Sequence, residues 1–135
     1  METARLSKRI WVYLINLLFY LGLGFSIASP VIVAAHLHVL IYLAVAFGIS
    51  IILSVFFDLF LLSISKGYNL GSAICGVKYV SSNGSVISKR QALIRSIYES
   101  IIIFVVFDWI YFLKNRTERG VIDRLSDSFA IDNRI

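Results

Sequence analysis

Residues 39–64 read VLIYLAVAFGISIILSVFFDLFLLSI, 26 consecutive positions with a single charged side chain, Asp58. A helix rises ~1.5 Å per residue, so ~20 apolar residues cross a hydrocarbon core ~30 Å thick. Residues 10–28, continuing to Pro30, form a second stretch of this kind. A third, residues 97–113, is shorter and carries Glu99 and Asp108. A soluble chain of 135 residues has no interior that could hide three such helices. The hydrophobic fraction of 59% and mean hydropathy of +0.84 point the same way, because soluble domains hold ~45–50% apolar residues. The chain reads as one integral membrane domain, 1–135. Its expected fold is all-α, with transmembrane helices over about 9–29 and 39–65 and a cytoplasmic β-hairpin-like loop over 66–88. A third helix, membrane-embedded or interfacial, is expected over about 89–113, followed by a cytoplasmic tail over 114–135.

The net charge is +5, and the basic residues lie almost wholly outside the apolar stretches. Cytoplasmic flanks of membrane helices collect Lys and Arg, which accounts for the basic pI without a nucleic-acid partner. No arginine-rich segment interleaved with stacking aromatics argues otherwise. Cys75 is the single cysteine, so an internal disulfide and a cysteine metal cluster are excluded, and it is expected to pack as a small apolar residue. Ser26 and Ala28 resemble the small residues before a signal-peptidase cut. The 19-residue apolar run exceeds the ~7–15 residues of a signal h-region, so a retained helix is expected.

Arg5, Lys8 and Arg9 place the N-terminus in the cytoplasm by the positive-inside rule. The connection 29–38 lacks Lys and Arg and belongs outside; its His36 and His38 have no third ligand nearby and read as exposed loop residues. Lys66, Lys78, Lys89, Arg90 and Arg95 then return the chain to the cytoplasm. The third run breaks the alternation, because Lys114, Arg116, Arg119 and Arg124 follow it. Basic flanks on both sides and two internal carboxylates favour a helix that lies in the interface or dips in and returns.

The loop is not linker-like. Residues 76–80 read Gly-Val-Lys-Tyr-Val and are followed by Asn83-Gly84, a strong hairpin signal, then Val86-Ile87. Ser88 is the expected cap of a helix starting near Lys89. Ser128-Phe129-Ala130-Ile131 is a strand candidate that would tie the tail to this loop on one side of the membrane.

These landmarks resemble the RDD family of small bacterial membrane proteins, named for one arginine and two aspartates. Arg9 matches the family arginine, and the position seven residues later matches its first aspartate, but here it is Asn16. Asn69-Leu70-Gly71-Ser72 resembles the family's Thr-Leu-Gly-Lys, and residues 76–80 with Asn83-Gly84 resemble its Gly-x-(Arg/Lys)-Val-Val…Asp-Gly loop. Gln91-Ala92-Leu93-Ile94-Arg95 resembles Ala-Leu-x-Arg, and Ile122-Asp123-Arg124-Leu125 with Ser128 and Ile131 resembles the ending that holds the second aspartate. The resemblance implies a bacterial cytoplasmic (inner) membrane protein of mostly unassigned activity, some of whose relatives are linked to sodium/proton exchange. Asn16 removes the ionisable group such a role would use at that position.

Arg9 and Asn16 are seven residues apart and share a helix face. Counting helical rise from the other end, Asp58 falls near the depth of Asn16, so Arg9, Asn16 and Asp58 are the expected intramembrane polar cluster. Ala46, Ser50, Ser54 and Asp58 recur every four residues, and Gly22, Gly24, Ser26 and Ala28 supply small residues to the first helix; both read as a helix–helix seam. Glu99 is expected to pair with Arg95 four residues earlier. Nine residues apart on one helix, Glu99 and Asp108 would face opposite ways. No phosphate loop or nucleophile–base motif is present, so neither enzyme activity nor a cofactor or metal is expected. The leading functional expectation is a structural or accessory protein that packs with itself or in a larger membrane complex. The alternative is an ion-coupled (sodium/proton) transporter acting as an oligomer, with Asp58 as its ion-binding carboxylate.

Overall fold

The computed structural model describes residues 2–35, 38–115 and 119–133. Helix α1 (Leu6–Ala35) and helix α2 (Val39–Ile64) are the two elements long and apolar enough to span a membrane. α1 continues past Pro30, beyond the boundary expected near residue 29. Proline removes one backbone donor, a loss that membrane helices tolerate. His38 begins α2 as its cap residue, and His36 lies outside the described residues.

The buried positions of α2 are Ala46, Ser50, Ser54, Asp58 and Leu62, the expected four-residue stripe extended by one turn. On α1 the buried positions run Arg9, Val12, Asn16, Tyr20, Gly24 and Ala28, steps of three and four that trace one helix face. Gly24 and Ala28 therefore lie in the seam, whereas Gly22 and Ser26 are exposed. A Cβ on Gly24 would stand 2.0 Å from Ser50 Oγ and 2.8 Å from the Ala46 carbonyl, so only glycine permits this approach.

The loop after α2 contains a short helix, α3 (Leu70–Cys75), where the sequence suggested only a hairpin-like loop. Asn69 and Ser72 cap it reciprocally through side chain and backbone. Strand β1 (Val77–Ser81) follows, and its antiparallel partner is β2 (Ser128–Asp132) from the tail, in the register Val77↔Asp132 to Ser81↔Ser128. The Asn83-Gly84 turn forms, but the expected hairpin reduces to one bridge, Val80↔Val86. The N-terminal segment lines the other edge of β2, with Ala4 N–H donating to the Ala130 carbonyl at 2.9 Å.

Helix α4 (Lys89–Ser100) starts at the expected cap, Ser88, which forms a capping box with Gln91. It runs along α2 until Ser100 Oγ lies 2.5 Å from Ser54 Oγ. Ser54 is ten residues from the end of α2, about 15 Å by helical rise, half the thickness of a hydrocarbon core. There the expected single third helix breaks at Ile101, whose extended backbone (φ −106°, ψ 106°) turns the chain by 96° into α5 (Ile102–Asn115). α5 comes back to α1, placing the Trp109 ring 5.5 Å from Tyr13 and Phe112 beneath Arg9. Helix α6 (Val121–Leu125), also unforeseen, then leads into β2.

The starts of α1 and α4, the end of α2, and both strands thus gather at one end of the molecule. Their shared apolar core comprises Ala4, Val12, Leu62, Val77, Tyr79, Ile87, Ala92 and Ala130, with Leu59 and Cys75 packed against it. The bent α4–α5 pair enters and leaves at that same end, the dipping geometry that its basic flanks suggested.

Candidate functional site

Asp123 lies at the centre of this assembled end. It is the third residue of α6, and its carboxylate accepts from Arg9 and, at 2.8 Å, from Arg95 Nη1. Arg9 Nε also donates to the Ala4 carbonyl at 3.1 Å. Arg95 Nη1 donates to Ser128 Oγ at 3.1 Å, its Nε lies 2.7 Å from Glu99 Oε1, and its guanidinium stacks 3.8 Å from the Tyr79 ring centroid. Burial by itself would raise the Asp123 carboxyl, but Arg95 and Arg9 together hold it below the usual carboxylate range. The pairing expected between Arg95 and Glu99 is present. Arg9 is buried, and its pair with Asp123 closes the two chain ends together.

Two turns along α1 from Arg9, Asn16 Oδ1 accepts from the Gly71 backbone N–H at 2.7 Å and docks α3 on α1. A Cβ on Gly71 would stand 2.3 Å from the Val12 carbonyl oxygen, which explains the glycine. On the other side, Asp108 Oδ1 accepts from Ile122 N–H at 2.8 Å and caps α6. Glu99 and Asp108 do not face opposite ways as a straight helix would require. The break at Ile101 redirects α5 and brings Asp108 to the side of Glu99, and both border the small cleft beside Arg95.

Deeper still is a separate polar layer. Tyr20 Oη donates to Asp58 Oδ1 at 2.7 Å. Asp58 is only 3% exposed, and among the described residues it forms no salt bridge. Of the expected cluster of Arg9, Asn16 and Asp58, Arg9 pairs with Asp123 apart from the other two, whereas Asn16 and Asp58 line one cavity while bonding to different partners, the Gly71 N–H and Tyr20. A cavity of about 370 Å³ opens beside this pair. Asp58, Tyr20, Asn16, Ser50 and Ser54 line it from the two long helices, and Glu99 and Ser100 line it from the end of α4. The rest of the wall is largely apolar, with Leu21, Phe47, Ile102 and Ile103 among its residues.

Tyr20 and Glu99 were missed as members of this layer. Tyr20 follows Asn16 by four residues on the polar stripe of α1, a signal visible in the sequence. Glu99 joins the layer because α4 packs along α2 as far as Ser54, a tertiary contact that no sequence pattern announces. The arrangement sets Asp58 and Glu99 in a largely apolar wall at the end of α4, where the helix terminus carries partial negative charge; the serine and Tyr20 hydroxyls already donate within the fold. Carboxylates beside a discontinuous helix can take up a proton or a small cation.

Residues 3–127 match the family model described as the RDD family. No match was found among curated proteins or among solved structures.

Proposed function

The chain belongs to the RDD family, and on that premise we propose that it is an ion-coupled membrane protein that works as an oligomer, with Asp58 as the carboxylate that takes up the proton or cation. One observation carries this choice: Asp58 is buried in a spanning helix beside a cavity, and its described hydrogen-bond donor is the neutral Tyr20. A purely structural carboxylate at that depth would be expected to sit on a basic partner, as Asp123 does. Glu99, held between Arg95 and the cavity, links this layer to the ion pairs at the assembled end. Two spans and a bent pair enclose no pathway alone, so a second copy or another subunit would complete it. No bond-making chemistry is invoked. The basic assembled end faces the cytoplasm of a bacterium in this proposal, by the positive-inside rule.

The second reading, an accessory protein of a larger membrane complex, draws support from the ion network. Arg9, Arg95 and Asp123 are committed to one another in holding the fold, and Asn16 to Gly71, which leaves the residues at the family's named positions engaged in structure. Purified protein in sealed vesicles separates the two. Ion-coupled flux is expected from the native chain under an imposed sodium or proton gradient, and Asp58→Asn should fold yet abolish it. Vesicles silent with the native chain would favour the accessory role.

A further inference from the structure

A second concavity lies on the outer side of the molecule, between α2 and α4, about 930 Å³ in volume. Its wall is apolar, with Phe56, Phe60 and Leu93 exposed along it. From Phe56 to Ile64 the groove follows α2 for about 12 Å, the span of eight helical steps. At the end level with the close of α2, three polar residues border it: Ser63, Lys89 and Arg90. Lys89 and Arg90 are exposed, and neither forms a salt bridge among the described residues. They occupy the first turn of α4, a 12-residue helix whose positive terminus adds to their field.

We infer that this groove is a binding site for an anionic phospholipid. Its phosphate would lie against Lys89 and Arg90 at the membrane boundary, and an acyl chain would lie over Phe56, Phe60 and Leu93. The charge complementarity is specific to this mouth. Elsewhere the outer face of α2 meets lipid with aliphatic and aromatic side chains alone, which suits any lipid tail and selects no headgroup. Basic residues next to membrane helices select anionic headgroups in this way. The inference is independent of ion coupling at Asp58.

The test uses the full chain in mild detergent, with native mass spectrometry counting retained phosphatidylglycerol and phosphatidylcholine of identical acyl chains. Phosphatidylglycerol should be retained in preference. The double variant Lys89→Gln/Arg90→Gln should lose most of that preference, about fivefold for each charge removed. Leu93→Trp fills the groove without touching the charges and should lower retention of both lipids. Three results would overturn the inference: equal retention of both lipids by the native chain, a preference that survives the double variant, or displacement of the lipid by millimolar inorganic phosphate. A double variant that changes self-association while leaving lipid retention intact would also overturn it, by assigning the groove to a second copy.

Discussion

Arg9 and Asp123, 114 residues apart in the chain, meet in a buried ion pair that closes the tail onto the first turns of α1. Around it, β2 is held between β1 and the N-terminal segment, and α6 is capped by Asp108. The pair therefore fixes the position of everything that follows the bent helices.

Removing Asp123 should be more damaging than removing Arg9. Asp123→Ala takes the carboxylate from two buried arginines, and loss of one partner of a buried pair costs ~3–5 kcal/mol. Arg9→Ala leaves Asp123 still paired with Arg95. Denaturant unfolding in one detergent should rank the variants in that order. The sign of the pH effect follows from the lowered carboxyl of Asp123. Its stabilisation is complete above the unfolded carboxylate pKa of ~3.9 and is lost as the pH falls through the lower folded value. The stability gap between the native chain and Asp123→Asn should therefore be constant near neutrality and close in acid.

Gly71→Ala should destabilise the chain, because the added Cβ meets backbone at Val12 and Asn16 Oδ1 at 2.9 Å. Overpacking of this kind costs ~1–3 kcal/mol. Asn16→Asp keeps the oxygen that accepts from Gly71 and should fold, whereas Asn16→Leu leaves that N–H without its acceptor at ~1–3 kcal/mol. Thermal unfolding of the three variants checks the order; equal loss in Asn16→Asp and Asn16→Leu would show that the bond does not hold α3 in place.

Cysteines introduced at Asn83 and Asn133 should label from the same side of the membrane, and one at His38 from the other. The turn after β1 and the end of β2 are joined through one sheet, while His38 starts α2 at the far end. Labelling of Asn133 together with His38 would mean that the bent pair crosses.

The long elements and the strands were legible because they rest on local pattern: apolar length for α1 and α2, the Ser88 cap for α4, and short strand-like runs for β1 and β2. The small helices α3 and α6 span six and five residues, too short to show periodicity, and their caps are recognisable only once their neighbours are in place. The break at Ile101 carries no Gly or Pro, so no residue announces it. Helical rise matches Asp58 with Asn16, and the two do line one cavity, but the bond from Tyr20 and the approach of Glu99 depend on side-chain reach and on how α4 packs along α2, which no local pattern encodes.

Variants of the Tyr20–Asp58 pair separate the proposed ion-coupled role of Asp58 from a role in holding the fold. Removing a carboxylate from water costs several kcal/mol, and a single tyrosine hydroxyl offsets only part of that. Replacing both partners by apolar side chains removes this cost together with the bond. Tyr20→Phe/Asp58→Leu is therefore expected to be as stable as the native chain or more so, by up to ~1–4 kcal/mol, while losing any ion-coupled flux. Asp58→Ala alone should be less stable than the double variant, because it leaves the Tyr20 hydroxyl without its acceptor at ~1–3 kcal/mol. Denaturant midpoints for the native chain and both variants, measured in the same detergent, decide the matter. A double variant that loses several kcal/mol would make Asp58 a structural clamp after all and shift the balance to the accessory role.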